Sequence, residues 1–334
     1  MQFSAMASDC TLHLVGLAPR DAQHLAQRAI AEVRRIETTY SRYRADSVVS
    51  RINAAAGSGR PVEVDAETLH LLGFAGQLHA ASAGLFDLTS GVLRRVWDFK
   101  AGRLPDAAAL ARLLPLVGWG QVQVQVQQHR AGTPAQAGTV LLPRAGMELD
   151  FGGIGKEYAA DRAASLLQQL GLRAGLVNLG GDIRLLGPRP CGTPWALGIA
   201  HPRQPGTVLA TLALQDGALA TSGDYERFFV SGGQRHCHLL NPFTGQSSSA
   251  QAGAWQSISV LAPACLAAGA LSTVAMLKGA DALGFLQQQQ VAYLAVDSQG
   301  QVHRSAVHTA AASTVADQPA PMSGPTSPCT HPLP

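Results

Sequence analysis

Cysteine is sparse in this chain and carries no pattern. The five residues, Cys10, Cys191, Cys237, Cys265 and Cys329, stand far apart with no C-x-x-C among them. That spacing argues against a disulfide framework or a zinc finger. Cys237 lies between His236 and His238, but no second Cys/His pair at finger spacing accompanies it. Lysine is scarce too. Most of the positive charge is arginine scattered through helical patterns, and a net charge of +3 without a Lys/Arg block leaves no electrostatic footprint for nucleic acid. No stretch of about 18 residues reads as apolar enough to span a bilayer. The opening Met1-Gln-Phe-Ser-Ala-Met6 is not a basic segment followed by an apolar run. As written, the sequence gives the expectation of a cytoplasmic protein, or of a periplasmic or membrane-anchored one if an N-terminal signal is missing from it.

What is present is a chain of 334 residues, 46% hydrophobic, long enough for one large domain or two smaller ones. Residues 9–16 alternate polar and apolar, as in a strand. Ala26, Ala29, Ile30, Val33 and Ile36 recur at helical spacing behind Pro19 and Asp21, and a second helix fits Ala66 to Ala83 behind Asp65. Val122, Val124 and Val126 alternate with glutamine and begin a hairpin that turns over 129–138 and returns at Val140, followed by Met147–Asp150. A helix is expected from Lys156 to Leu170, then a buried strand from Ala174 to Leu179 that continues beyond a Gly-Gly kink as Ile183–Leu186. Strands follow near 209–214, 228–230 and 257–261, helices near 264–277 and 280–288, and a strand at 291–297. Strands outnumber helices without alternating with them, so the expected class is α+β, with mixed, largely antiparallel sheets packed with helices. The domain is expected over 1–306. Residues 307–334 are Ala/Ser/Thr/Pro-rich, with too little apolar surface to offset ordering, and are expected to be a disordered tail.

The segment Asp150-Phe-Gly-Gly-Ile-Gly-Lys156 sits at a strand-to-helix transition. Glycines there let the backbone approach a ligand, free helix N–H groups favour a phosphate, and Lys156 adds a point charge. A P-loop would need glycine at 150 and Ser or Thr at 157, where Asp150 and Glu157 stand. Three more polar turns follow in order: Asn178-Leu-Gly-Gly-Asp182, Thr221-Ser-Gly-Asp-Tyr225, and His236-Cys-His-Leu-Leu-Asn-Pro-Phe-Thr-Gly245. Each alone has a geometric explanation as a turn.

Together with Ser41–Ser47, Ser50–Asn53, Gly84–Thr89, Trp97 and Phe99, this ordered set resembles the FAD:protein FMN transferases, the ApbE-like flavin transferases, from about Met6 to Val296. The resemblance implies an ApbE-like (T-fold-like) single catalytic domain. It also implies transfer of FMN from FAD to a Thr or Ser hydroxyl of an acceptor flavoprotein with release of AMP, assisted by Mg²⁺. Carried over position by position, it implies FAD contacts at Met6, Tyr43, Leu85, Phe86, Asp87, Asp150, Lys156 and Leu240. It implies metal contacts at Gly153, Ser272 and Thr273, and His238 as base for the acceptor hydroxyl, with Lys156 as the other catalytic group. The alternative expectations are a non-catalytic FAD carrier or sensor, and a pyrophosphatase giving FMN and AMP. These are motivated by two departures: Gly269 in Ala268-Gly-Ala-Leu-Ser-Thr273 and Asn241 stand where the family has acids, whereas Glu157 replaces a typical glycine. Magnesium could then be held mostly by FAD, Thr273 and water, with the missing charge supplied by Glu157 or Asp182, or flavin could be bound without being transferred.

Overall fold

A computed structural model describes residues 1–127, 137–190 and 192–305. The chain opens on a hairpin of β1 (Gln2–Ala5) and β2 (Ser8–Leu14), followed by α1 (Pro19–Tyr40) and α2 (Val48–Ala54). Next come β3 (Val62–Asp65), α3 (Ala66–Ala81), a 3-10 segment over Leu88–Arg95, α4 (Ala107–Leu113), β4 (Gln123–Val126) and β5 (Ala137–Leu141). The middle holds α5 (Gly155–Gln169), β6 (Gly175–Leu179), β7 (Asp182–Leu185), β8 (Trp195–Ala200), β9 (Val208–Leu214) and β10 (Ala218–Gly223). Then follow β11 (Phe228–Ser231), β12 (Gln234–Cys237), β13 (Trp255–Ala262), α6 (Cys265–Lys278), α7 (Ala282–Gln288), β14 (Ala292–Asp297) and β15 (Val302–Arg304).

Eight strands form one sheet in the order β1-β2-β6-β7-β10-β13-β14-β15, and a three-stranded sheet runs β3-β5-β4. Every pairing among the described strands is antiparallel, as the expected α+β class requires. One stripe of α1 (Ala26, Ala29, Val33, Ile36 and Tyr40) is buried, and α1 packs on α5. Helix α6 is sandwiched between α5 and strands β10 and β13, which explains why it is apolar almost all round. The sequence expectation that no stretch is apolar enough to span a membrane needs correction. The helical run Cys265–Gln288 passes by length and composition, but most of it is buried inside the protein, so its apolarity serves the core.

Three local expectations also change. The Gly-Gly kink is a hairpin: Leu179 pairs with Asp182, and Gly180 and Gly181 take φ of +60° and +96°, the two-residue turn that needs positive φ twice. Met147–Asp150 joins no sheet. Leu149 instead exchanges both backbone hydrogen bonds with the Asn53 side chain, its N–H donating to Oδ1 at 2.7 Å and its carbonyl accepting from Nδ2 at 3.0 Å. Strand β8 escapes the sequence pattern because its outward positions Ala196, Gly198 and Ala200 are themselves small and non-polar, which hides the alternation. The expected tail, most of the 129–138 turn, Cys191 and Cys329 lie outside the described residues.

Candidate active site

The site is built on the loop from Asp150 to Lys156. Phe151 (1% exposed) and Ile154 (0%) pin it to the core, with the Phe151 ring 5.2 Å from that of Tyr40. Gly152 and Gly153 are left facing outward between these two anchors. The Phe86 ring lies against Gly153, 3.2 Å from where a Cβ would sit. Asp150 is ion-paired with Arg42, and its Oδ1 accepts from the Gly152 N–H at 2.9 Å. Arg42 also donates to the Tyr43 hydroxyl (2.8 Å) with its guanidinium over the Tyr43 ring, yet that residue is 77% exposed. An exposed, braced aromatic ring beside a glycine-rich loop is a ready platform for a planar ligand.

At the other end of the loop, Lys156 stands in the first turn of α5 and pairs with Asp182 Oδ2 at 2.8 Å. Burial alone would lower its pKa, but the charges of Asp182 and Glu157 outweigh this and raise it, so the ammonium is held protonated. Asp182 opens β7 directly after the Gly180-Gly181 turn, and its Oδ1 accepts from the Thr221 N–H at 3.3 Å. Burial, against the pull of Lys156, moves the Asp182 carboxyl upward. Next to Thr221, the Ser222 hydroxyl bonds to Ser272 (2.8 Å) and Thr273 (3.0 Å) on α6. Strand β10 and helix α6 thus present three hydroxyls beside the Lys156–Asp182 pair.

Glu157 points into the same region. It is buried (8% exposed), its Oε2 has no hydrogen-bond partner, and its side chain occupies the space in front of Gly269. Desolvation, then the charge of Asp182, pushes its pKa up to about 8.

His238 follows β12. Its backbone N–H donates to the Arg227 carbonyl (3.0 Å), and its buried Nδ1 has no partner. Desolvation first, then the nearby positive charges of Arg227 and Lys156, depress its pKa to about 4, so the imidazole is neutral at neutral pH. Its neighbours in sequence go elsewhere: His236 stacks on Phe229 (5.3 Å), and Cys237 is buried among Ser247 and Ser248. The turn after His238 is closed by Asn241, whose Oδ1 accepts from the Phe243 and Thr244 N–H groups (2.9 and 3.3 Å). An amide oxygen satisfies that turn as an acid would, so Asn241 accounts for itself locally.

The remaining expected contacts are less uniform. Met6 sits in the β1–β2 turn at φ +53° with its N–H donating to Glu37 (2.6 Å). The following Ser8 touches Gly180 beside Lys156 and walls a shallow cavity of ≈ 400 Å³ with Ser4, Ala5, Ala7, Asp9 and Glu37. Leu85 is half-buried next to Gly84, which the Phe243 ring crosses. The Asp87 carboxylate is already taken, accepting from Thr89 N–H (2.7 Å), Thr89 hydroxyl (2.5 Å) and Trp119 N–H (2.8 Å). Leu240 bridges to Ser247 and packs against the cluster around Trp97. Sequence reasoning did not single out Arg42, Ser222 or Asp161. Asp161, on α5, accepts from the Cys265 and Leu266 N–H groups (2.9 and 2.8 Å) and so caps the start of α6.

Among the described residues, no three His, Cys, Asp or Glu gather as a metal cage. The residues that could hold a metal ion are Glu157 and Asp182, with the linked hydroxyls of Ser222, Ser272 and Thr273. That donor set suits Mg²⁺, which keeps waters and substrate phosphates as its other ligands.

Comparison with known proteins agrees with this geometry. A family model described as the ApbE family matches residues 6–295. A protein of Treponema pallidum named FAD:protein FMN transferase is 32% identical over 81% of this chain and 76% of its own length. One of the same name from Haemophilus influenzae is 30% identical over 74% and 70%. The crystal structure of the ApbE protein of Thermotoga maritima superposes with a TM-score of 0.79 at 28% identity, covering 94% of this chain and 99% of that one. The flavinyl transferase ApbE of Pseudomonas stutzeri, in its apo form, gives 0.76 at 25% identity over 93% and 95%. With the loop from Asp150 to Lys156, the Asp182 hairpin and His238 brought to one place, this chain belongs to the ApbE family.

Proposed function

We propose that the protein transfers FMN from FAD to a Thr or Ser hydroxyl of an acceptor flavoprotein and releases AMP. The observation that carries this reading is Lys156 in the first turn of α5, ion-paired with Asp182 and close to the half-buried His238. Phosphoryl transfer asks the protein for positioning and charge stabilisation more than for covalent chemistry. The acceptor oxygen attacks the phosphorus of the FMN half, the bridging P–O bond breaks, and AMP leaves with the bridging oxygen. His238, held uncharged by burial, is the group proposed to take the hydroxyl proton. Lys156, in the first turn of α5, is the group proposed to meet the pyrophosphate and favour the charge that develops there. The exposed, Arg42-braced Tyr43 ring and Phe86 border the place for the flavin or adenine ring.

Gly153, Ser272 and Thr273 are the positions proposed to hold Mg²⁺, together with the substrate's phosphates. When bound, the ion neutralises pyrophosphate charge. The reading is tested by incubating the protein with FAD, Mg²⁺ and an unflavinylated acceptor flavoprotein, then looking for flavin fluorescence on the denatured acceptor. Fluorescence that survives denaturation and maps to a Ser or Thr is the expected result. Flavin that is bound but fully released on denaturation indicates a carrier and defeats the proposal.

A further inference from the structure

Gly269 is a glycine in the interior of α6, where alanine would normally be favoured. Its backbone does not need positive φ. What it needs is space: a Cβ there would lie 2.5 Å from Glu157 Cγ, 2.8 Å from Oε1 and 2.9 Å from Cδ. The gap in α6 is therefore filled by a side chain from α5. The filler is a carboxyl group, which is costly to bury without a partner. Lys156, the nearest cation, already pairs with Asp182 at 2.8 Å; the Glu157 carboxyl meets that of Asp182, and its Oε2 is left without a hydrogen-bond partner. Two buried carboxyls thus share one ammonium. Around them stand the hydroxyls of Ser222, Ser272 and Thr273, and positions 269, 272 and 273 share one face of α6 because they are three and four residues apart.

We infer that Glu157 is the carboxylate ligand of the divalent cation in this protein, delivered from α5 through the opening that Gly269 leaves in α6, with Asp182 and the three hydroxyls beside it. This deepens the proposed reading and rests on it for the identity of the substrate. A carboxylate reaching the same spot from α6 and one reaching it from α5 are mutually exclusive, because the atoms would overlap. The chain therefore keeps the ligand by exchanging which helix carries it.

The test uses Mn²⁺ as an EPR-active probe, titrated into the full-length protein with and without FAD. Wild type is expected to bind Mn²⁺ in at least one condition, and Glu157→Gln to bind at least tenfold more weakly. The double variant Glu157→Gly/Gly269→Asp, which puts a shorter carboxylate on α6 into the vacated space, should recover affinity to within a few-fold. If Glu157→Gln does not fold, the double variant decides: Mn²⁺ binding retained supports the inference, and binding lost overturns it. Mn²⁺ binding by wild type in neither condition, or binding unchanged in Glu157→Gln, also overturns it. FMN transfer by the same wild-type sample separates the two readings. Transfer with Mn²⁺ affinity indifferent to residue 157 defeats only this inference, whereas Glu157-dependent Mn²⁺ binding without transfer defeats only the functional proposal.

Discussion

Replacing Asp161 by alanine should destabilise the protein by about 2–4 kcal/mol and loosen one helix in particular. Helix α6 has Ala264 at its N-cap and no side-chain cap of its own. Asp161 supplies the cap from the neighbouring helix, its two carboxylate oxygens accepting from the N–H groups of Cys265 and Leu266 at 2.9 and 2.8 Å. Arg184 approaches the same carboxylate at 3.4 Å. A buried donor left without a partner costs about 1–3 kcal/mol, and the lost charge at a helix N-terminus adds up to about 1 more. Part is returned, since burial raises the Asp161 pKa despite these bonds and the variant escapes that desolvation. An amide at this position would keep one acceptor oxygen, so Asp161→Asn should cost about half as much as Asp161→Ala. Urea denaturation followed by tryptophan fluorescence gives the two free energies, and hydrogen exchange gives their location, with the amides of α6 losing protection before those of α1. A cost of Asp161→Ala below about 0.5 kcal/mol, or equal costs for both variants, would refute the capping role.

Other consequences follow from the same geometry. Gly269→Ala in the wild-type background should cost about 1–3 kcal/mol through overlap with Glu157, whereas in a Glu157→Gly background the same change should be neutral or stabilising; paired denaturation curves decide this. The depressed His238 pKa, about 4 against about 6.5 in an unfolded chain, contributes stability that is present above pH 6.5 and lost as the pH falls towards 4. His238→Gln should flatten that acid limb by about 1–3 kcal/mol. The same substitution should slow FMN transfer by about 10²–10⁴-fold while leaving FAD affinity within a few-fold, if His238 acts on the acceptor proton as proposed. Lys156→Met should cost about 3–5 kcal/mol, because it leaves the buried Asp182 carboxylate unpaired beside Glu157.

The fold class and most elements were legible in the sequence because their causes are local. The periodicity of Ala26, Ala29, Val33 and Ile36 sets α1, and Asp65 caps α3 by accepting from Thr68 N–H at 2.8 Å. What was illegible depends on partners far apart in the chain. Leu149 reads as strand, yet Asn53, 96 residues away, supplies its hydrogen bonds. Arg42 looks like any scattered arginine until the fold sets it on Asp150, and the role of Asp161 exists only because α5 packs on α6. Within the site, the glycine-rich loop was readable from its residues, and the roles proposed for His238, Ser272 and Thr273 came through resemblance. The relation between Glu157 and Gly269 was not readable. In sequence they are two unrelated departures far apart along the chain, and in space one is the cavity and the other its occupant.

The central claim is group transfer from FAD, and the decisive quantity is the ratio of AMP released to flavin covalently bound to the acceptor. With FAD, Mg²⁺ and an unflavinylated acceptor flavoprotein, the account predicts one AMP for each flavin fixed on a Ser or Thr, and little AMP when the acceptor is omitted. AMP released with free FMN and no covalent flavin would make the protein a pyrophosphatase, and FAD recovered intact would make it a carrier; either result would contradict the account.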